Sequence, residues 1–229
     1  MTKAGIVTVA GRPNAGKSTL LNRLVGQRLA ITSPKPQSTR ERVVGLISDA
    51  DSQIILLDTP GLLEPAYALQ TSMREASRKA LADADVIVHL IDALEGVVET
   101  LAAAAGLVGA ALPRAPIILA FNKSDGLSAG RRAALIAENP GAVVISALTG
   151  DGVPELLDRI RALLPEHPFY YDAEDLSTQN MRFFASEMVR ETALEQLEDE
   201  VPYSIACEIE EFRETRSPVY IRAVLHVEL

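Results

Sequence analysis

The sequence predicts an α/β protein: a mixed, mostly parallel sheet with helices on both faces, followed by a smaller α+β unit. From residue 5 to about residue 164, short β-branched runs alternate with Ala- and Leu-rich helical stretches, the pattern of a parallel sheet. The runs Ile87–Ile91 and Ile117–Ala120 are nearly continuous in apolar character, which is typical of strands buried on both faces. Beyond a polar break, one helical pattern precedes two alternating runs.

The first part divides into six strand candidates and five helix candidates. The predicted strands are Ile6–Ala10, Arg42–Ser48, Ile54–Asp58, Val86–Asp92, Ile117–Asn122 and Val143–Ser146. The predicted helices are Lys17–Val25, Leu69–Ala82, Val97–Leu112, Ala129–Ala137 and Pro154–Leu164. Only Asp49–Gln53 separates the second and third strands. That segment is too short for a helical crossover, so these two strands should form an antiparallel hairpin.

The second part begins after a predicted linker at residues 165–180, which contains Pro165, Pro168 and a polar stretch. From Met181 to Leu197, apolar residues recur at helical spacing. Two alternating runs follow, with Arg213–Pro218 as the turn of a predicted β-hairpin. One face of each run is apolar: Tyr203, Ile205, Cys207 and Ile209 in the first, and Val219, Ile221, Ala223, Leu225, Val227 and Leu229 in the second. The expected units are therefore residues 1–164 and 181–229.

The composition excludes several classes of protein. Apolar residues make up 48% and charged residues 23%, which is globular rather than disordered. The net charge of −9 argues against a surface that attracts nucleic acid everywhere, although it leaves room for a local basic site. A single cysteine, Cys207, excludes a disulfide framework and fits a reducing cytoplasm. No signal peptide or membrane span is predicted, because the apolar runs are too short.

Residues Gly11–Ser18 match the phosphate-binding pattern G-x-x-x-x-G-K-[ST]. The match follows a predicted strand and opens a predicted helix, which is the context the pattern requires. Glycines let successive N–H groups point into one concavity, and the helix N-terminus favours anions. Lys17 would reach the β- and γ-phosphates of a nucleotide, and the Ser18 hydroxyl would ligate Mg²⁺.

Residues Asn122–Asp125 indicate which base is bound. They follow a buried strand, at the sheet edge where ligands bind in open α/β folds. The Asp125 carboxylate can accept hydrogen bonds from N1–H and N2–H₂ of guanine, whereas adenine offers no donors there. The Lys123 stem can lie over the base, and Asn122 can tie this segment to the phosphate loop. One strand later, Ser146–Leu148 would supply a backbone N–H for guanine O6, with Ala147 the preferred donor.

Two further segments predict a magnesium and γ-phosphate sensor. Asp58 ends the third strand and can hold Mg²⁺ through water, and Gly61 lacks a Cβ, so its N–H can approach the γ-phosphate. Upstream, Thr39 can give its hydroxyl to Mg²⁺ and its N–H to the γ-phosphate. Thr39 is preferred because it precedes Arg40. Three hydroxyl residues nearby remain alternatives: Thr32, Ser33 and Ser38.

These motifs together resemble the Era family of Ras-like GTPases. The resemblance is carried in the first part by Gly11–Ser18, Gln37–Arg40, Asp58–Gly61, Asn122–Asp125 and Ser146–Leu148, and in the second part by Phe183–Glu187 and Val201–Ser204. It implies a Ras-like GTPase domain joined to a KH domain. It also implies GTP/GDP and Mg²⁺ as ligands, and GTP-dependent binding to 16S rRNA of the 30S subunit during small-subunit maturation. A cytoplasmic monomer with loose attachment to the inner membrane surface is a further implication.

The candidate site residues are then as follows. Nucleotide binding is assigned to Asn14, Ala15, Gly16, Lys17, Ser18, Thr19, Asp58, Gly61, Asn122, Lys123, Asp125, Ser146, Ala147 and Leu148. A part in hydrolysis is assigned to Lys17, Thr39, Gly61 and Asn14. Binding of Mg²⁺ is assigned to Ser18, Thr39 and Asp58.

Two residues bear on the rate of hydrolysis. Leu62 stands where Ras-like enzymes carry a water-orienting Gln, and a leucine cannot hydrogen-bond water, so intrinsic hydrolysis should be slow. Asn14 stands where related potassium-activated GTPases use an Asn to bind K⁺. A K⁺ ion there would place positive charge near the β–γ bridge, as an arginine finger does, which makes potassium activation a hypothesis.

The second part departs from the KH pattern. KH domains clamp RNA with a G-x-x-G loop between two helices, and no such loop follows the hairpin before Leu229. Residues from Met181 onward carry 11 acidic and 5 basic side chains. We therefore expect an incomplete, αββ KH-like unit whose RNA binding is weak or absent.

Other residues and functions have competing interpretations. Cys207 is interpreted as a buried apolar filler rather than a nucleophile. Arg28, Lys35, Arg40 and Arg42 cluster near the sensor segment and are interpreted as a solvated surface, with contact to RNA or a partner as the alternative. The alternative to a GTP-hydrolysing switch is a non-catalytic RNA-binding or assembly scaffold with a structural nucleotide site. An ATP-driven enzyme is disfavoured by Asp125.

Overall fold

Six strands form one sheet, in the spatial order β2-β3-β1-β4-β5-β6. The computed structural model describes residues 1–33, 35, 38–95, 98–107, 113–197, 205–215 and 217–227. The strands are β1 (Lys3–Ala10), β2 (Val43–Ser48), β3 (Ser52–Asp58), β4 (Val86–Asp92), β5 (Ile117–Asn122) and β6 (Val143–Val144). All neighbours pair in parallel except β2 and β3, which form the predicted antiparallel hairpin.

Helices cover both faces of the sheet. They are α1 (Lys17–Val25), α2 (Ala68–Ala82), α3 (Leu101–Ala104), α4 (Ala129–Glu138) and α5 (Val153–Leu163). Alternate residues of the buried strands point to opposite faces. Val88 therefore joins the core under α1 and α5, whereas Ile87 packs with Leu81 of α2. Within the described residues, no helix has both the length and the apolar character needed to cross a membrane.

Two predicted elements are shorter than expected. Within residues 98–107 of the helix predicted over Val97–Leu112, the structure has one helical turn, α3. It is followed by Gly106 at φ 59°, a left-handed conformation common after a helix end. Residues 97 and 108–112 lie outside the described residues. The sixth strand ends at Val144, because Ser146 turns back and its N–H donates to the Asp151 carbonyl at 2.8 Å.

The described residues of the second part form a helix, α6 (Met181–Gln196), and a hairpin of β7 (Ile205–Arg213) and β8 (Tyr220–Val227). The Asn180 side chain caps α6 by accepting a hydrogen bond from the Phe183 N–H at 2.9 Å. The strands are antiparallel, with Cys207 opposite Leu225 and a register irregularity between Ile209 and Glu211. The predicted positions Gln37, Tyr203 and Leu229 lie outside the described residues.

Burial in this hairpin differs from the alternation that the sequence predicts. Ile205 is buried, but Ile221 and Leu225 remain 43% and 47% exposed. Cys207 is half-buried, which is less than its interpretation as a buried apolar filler implies. Desolvation raises the pKa of its thiol, which disfavours the nucleophilic thiolate.

The predicted linker is fastened along the outer edge of β2. The Leu46 N–H donates to the Leu176 carbonyl at 2.9 Å, and the Ser177 hydroxyl donates to the Val44 carbonyl at 2.6 Å. The Gln53 side chain, which is fully buried, accepts from the N–H groups of Tyr170 and Tyr171. Because β2 is the first strand of the sheet, the contacts of Leu176 and Ser177 occupy its otherwise unpaired side.

The buried histidine of β4 predicts a specific pH dependence of stability. Desolvation lowers the pKa of His89 from 6.5 to about 4. Below pH 6.5, His89 is therefore protonated in the unfolded chain but stays neutral in the folded chain. The free energy of unfolding is highest above pH 6.5 and falls as the pH is lowered toward 4. Chemical denaturation should show a loss of about 2 kcal/mol between pH 7 and pH 5 from this residue.

The matched variant His89→Leu isolates that contribution. It should show a smaller loss of unfolding free energy over the same pH interval, because its side chain takes up no proton. An identical pH dependence in the two proteins would contradict the prediction.

Candidate functional site

A cleft of about 440 Å³ lies at the carboxyl ends of the central strands. Its volume is within the range of small-molecule sites in proteins. Its walls come from the segment after β1, the segment before β2, the segment after β3 and the end of β5. The lining residues are Pro13, Asn14, Gly16, Lys17, Ser18, Thr19, Ile31, Thr32, Ser33, Ser38, Thr39, Gly61 and Lys123.

The loop between β1 and α1 can adopt its shape only with glycine at two positions. A Cβ at Gly11 would lie 2.2 Å from the Leu90 carbonyl oxygen. Gly16 has φ 93°, and a Cβ there would lie 2.2 Å from Asn122 Nδ2. Asn14 also has a left-handed backbone, with φ 62°. This curled loop leads directly into α1, whose first residue is Lys17.

Two opposite charges are buried at the base of the cleft. Lys17 is 6% exposed, and its Nζ donates to the Arg12 carbonyl at 2.9 Å. Desolvation lowers the pKa of Lys17, and the negative charge of Asp58 opposes that shift. Desolvation raises the pKa of Asp58, against the charge of Lys17 and hydrogen bonds from Ser18 and Thr39. Each charge thus stabilises the ionised form of the other.

Three oxygen donors converge beside these charges. Asp58 Oδ2 accepts from Ser18 Oγ at 2.6 Å and from Thr39 Oγ1 at 3.2 Å, and the two hydroxyls are 3.0 Å apart. Among the described hydroxyl residues of its segment, Thr39 is the one that contacts both Ser18 and Asp58. Thr32, Ser33 and Ser38 line the same cleft. Two hydroxyls and a carboxylate are hard oxygen ligands, the donor type that suits Mg²⁺.

The segment after β3 packs closely on the phosphate-binding loop. A Cβ at Gly61 would lie 2.7 Å from the Pro13 backbone nitrogen, so this approach requires glycine. The next N–H, of Leu62, donates to the Gly11 carbonyl at 3.0 Å. The Leu62 side chain is 2% exposed and belongs to an apolar cluster with Leu81, so it does not face the cleft.

Asn122 joins three segments at the end of β5. Its Nδ2 donates to the Ala15 carbonyl at 2.8 Å, and its Oδ1 accepts from the Ala147 N–H at 2.8 Å. Asp125 is exposed, and its Oδ1 accepts from the Ser146 hydroxyl at 2.6 Å. The structure therefore brings the phosphate-binding loop, Asn122–Asp125 and Ser146–Leu148 to one edge of the sheet.

The Ala147 N–H, which is expected to serve guanine O6, donates to Asn122 Oδ1 in this structure. A base oxygen would have to share this N–H or use the next one, of Leu148. The Leu148 side chain is 67% exposed, and its carbonyl accepts from Arg23 Nη2.

Two residues of the site were missed by sequence reasoning. Arg23 of α1 holds the third segment, because its Nε also donates to the Ala147 carbonyl at 3.1 Å. Asp92, at the end of β4, forms a 2.5 Å ion pair with Lys123 Nζ. Asp92 is 8% exposed, whereas the Lys123 side chain remains 36% exposed, so the ion pair is only partly desolvated. A charged residue at a strand end is a weak signal, and the sequence offers no other.

Three of the four basic residues near Thr39, interpreted as a solvated surface, contact the second part of the chain, although Arg28 remains exposed. Arg28 forms a 2.7 Å ion pair with Glu191 of α6. Lys35 Nζ donates to the Leu197 carbonyl, and Arg40 Nη1 donates to the Ile205 carbonyl, each at 2.5 Å. Arg42 is exposed. The segment before β2 therefore packs against the second part of the chain.

Comparison with known proteins agrees with this geometry. A family model described as 50S ribosome-binding GTPase matches residues 6–123. GTPase Era of Thermotoga petrophila is 39% identical over 234 residues, covering 99% of this chain and 77% of that protein. This chain belongs to the Era family of GTPases. GTPase Era of Marinobacter nauticus is also 39% identical, over 241 residues that cover 99% of the chain and 76% of the relative.

Solved Era structures resemble the whole chain rather than its first part alone. Era in complex with MgGDPNP and nucleotides 1506–1542 of 16S ribosomal RNA matches with a TM-score of 0.87 and 33% identity, over 100% of this chain and 80% of that one. An Aquifex aeolicus Era variant bound to GDP·AlF4⁻ matches with a TM-score of 0.85 and 34% identity, over 99% and 79%. The Ras-like fold and the KH-like second part are thereby confirmed.

The contacts of Asn122 predict a large effect on stability. Asn122→Ala removes both hydrogen bonds and leaves the buried Ala147 N–H and Ala15 carbonyl without this partner. We expect a loss of about 2–4 kcal/mol in unfolding free energy, measured by chemical denaturation. Asn139→Ala is the matched control, because Asn139 Nδ2 donates to one carbonyl, that of Leu135, at a half-exposed helix end. Equal losses in the two variants would contradict the argument.

Proposed function

We propose that this chain is a GTP-hydrolysing molecular switch whose nucleotide and Mg²⁺ occupy the cleft described above. The observation that carries the proposal is the convergence of Ser18, Thr39 and Asp58 beside the buried Lys17. These residues come from three segments that are distant in sequence. Together they place three oxygen ligands and one cation at the end of the phosphate-binding loop. Membership of the Era family supports the assignment of GTP as the substrate.

The phosphates are bound by backbone N–H groups from Asn14 to Thr19, including those of Ala15 and Gly16. Lys17 neutralises the β- and γ-phosphates. Ser18 and Thr39 ligate Mg²⁺ directly, and Asp58 holds it through water. The Gly61 N–H contacts the γ-phosphate, which its lack of a Cβ permits. Mg²⁺ supplies positive charge that offsets the charge developing on the phosphates.

The base is recognised at the other end of the cleft. Asp125 accepts from N1–H and N2–H₂ of guanine, and Lys123 lies over the ring. Asn122 fixes the geometry, and a backbone N–H of Ala147 or Leu148 serves O6 beside Ser146. Since adenine has no donors at these positions, ATP binds poorly.

Hydrolysis is an in-line attack of water on the γ-phosphate. Lys17 and the loop N–H groups stabilise the developing charge. Because the Leu62 side chain is buried in the core, it does not orient the attacking water, and unassisted turnover is slow. Thr39 and Gly61 contact the γ-phosphate, so their segments are ordered when GTP is bound. Loss of the γ-phosphate on hydrolysis releases them.

The partner of the switch is RNA of the small ribosomal subunit. An Era structure that matches the whole chain contains a fragment of 16S rRNA, which supports this choice. The chain is divided into a GTP-binding unit at residues 1–164, a linker at 165–180 and a KH-like unit at 181–229. Family resemblance supports a role in small-subunit maturation by a cytoplasmic monomer, with loose membrane attachment.

Steady-state turnover of GTP and ATP tests the function. The chain should hydrolyse GTP in preference to ATP, and Lys17→Ala should lower GTP turnover at least about 100-fold, because the cation at the phosphates is lost. Lys79→Ala, on the exposed side of α2, is the charge-matched control and should be unchanged. A GTP turnover that persists in Lys17→Ala would instead favour the scaffold with a structural nucleotide site.

Potassium activation is tested by the salt used. At equal ionic strength, turnover should be about tenfold faster in KCl than in NaCl, because a K⁺ held by Asn14 adds positive charge at the β–γ bridge. Asn14→Ala should remove the difference between the salts. Equal rates for the unaltered chain in the two salts would contradict this role of Asn14.

A further inference from the structure

Ser38 and Arg40, the two sequence neighbours of Thr39, are both hydrogen-bonded to the second part of the chain. The Ser38 carbonyl accepts from Arg190 Nη2 of α6 at 2.5 Å. On the other side, Arg40 Nη1 donates to the carbonyl of Ile205, the first residue of β7, at 2.5 Å. Thr39 itself contacts Ser18 and Asp58. The second unit therefore holds Thr39 in place through hydrogen bonds to the two residues that flank it.

Arg190 is built to hold a fixed position. It is 5% exposed, and Glu187, one helical turn earlier, accepts from its Nε at 2.8 Å and its Nη2 at 2.7 Å. This two-point contact fixes the plane of the guanidinium and balances its buried charge. This contact also orients Nη2 toward the Ser38 carbonyl. The hydrogen bond to Ser38 therefore requires little further loss of side-chain conformational entropy.

The same face of α6 holds the opposite end of the segment. Glu191 Oε1 accepts from Arg28 Nη2 at 2.7 Å and from the Thr32 N–H at 3.2 Å. Glu187 and Glu191 are four residues apart, so they lie on one helical face. The segment from Arg28 to Arg40 is consequently attached to this face near both of its ends.

We propose that Arg190 is a positioning residue for Thr39: by holding the Ser38 carbonyl, α6 keeps the Thr39 hydroxyl at Ser18 and Asp58. This inference rests on the proposed function, in which Thr39 binds Mg²⁺ and the γ-phosphate. Under that function, a GTP state needs Thr39 in place and a GDP state does not. The contact therefore strengthens binding of the triphosphate selectively, and the second unit becomes part of the triphosphate-sensing apparatus.

The test compares equilibrium affinities of the intact chain for Mg·GDPNP and Mg·GDP. Arg190→Met keeps the aliphatic stem and removes the donors. It should weaken GDPNP binding about tenfold, the usual effect of losing one charge-assisted hydrogen bond, and change GDP binding less than about twofold. It should also raise the Mg²⁺ concentration needed for half-maximal hydrolysis. Arg182→Met is the matched control, because it removes the same charge from an exposed position of α6 whose hydrogen bond, to the Ile209 carbonyl, stays within the second unit.

A double-mutant comparison distinguishes this role from general support of the fold. Thr39→Ala alone should weaken GDPNP binding, and adding Arg190→Met to it should cause no further loss. Arg190→Lys retains a charged donor and should restore part of the affinity. It also serves if Arg190→Met does not fold, as judged by circular dichroism.

The outcomes separate the two hypotheses. Weakening of GDPNP and GDP by the same factor, or additive losses in the double variant, would overturn the positioning role of Arg190 and leave the proposed function intact. A Thr39→Ala variant with unchanged GDPNP affinity would overturn the sensing role of Thr39 in the proposed function, and this inference with it. A selective, non-additive loss would support both.

Discussion

The buried pair of Lys17 and Asp58 constrains most of the structure around the cleft. Neither charge can be taken from water without partners that offset its desolvation. Asp58 has two hydroxyls and Lys17 has a backbone carbonyl, and each also lies in the field of the other. To supply these partners, β1, α1, β3 and the segment before β2 must meet at one point. The parallel register that sets Val9 opposite Asp58 achieves this.

What could be predicted from the sequence was mostly local. A curled loop with glycines at Gly11 and Gly16, and the polar turn at Asn122–Asp125, are short patterns whose conformation follows from their own residues and their flanking strands. The strands β4 and β5 have their predicted bounds because continuous apolar runs leave little choice of position. The helix expected after β4 is shorter because alanine and leucine content alone does not show where Gly106 ends it.

What could not be predicted depends on pairs distant in sequence. Arg23 meets Leu148 across 125 positions, and Arg190 meets Ser38 across 152. Neither pair has a spacing that a helix or strand period would reveal. A basic residue in a polar segment has the same local sequence pattern whether it is solvated or hydrogen-bonded to another unit. The contacts of Lys35 and Arg40 with the second part of the chain were therefore not predicted. The hydrogen bond from the Ala147 N–H to Asn122 was likewise not predicted, because its acceptor comes from another strand.

The polar segment fastened beside β2 also protects the sheet. An outer strand with free N–H and C=O groups is a template onto which a strand of another molecule can add, and β2 is short but largely apolar. The carbonyl of Leu176 and the side chain of Gln179 accept from alternate N–H groups of β2, so the template is already filled. A segment that joins two units therefore also helps to keep the molecules from associating edge to edge. Removal of this segment would therefore expose the N–H groups of Val44 and Leu46 on the outer side of β2.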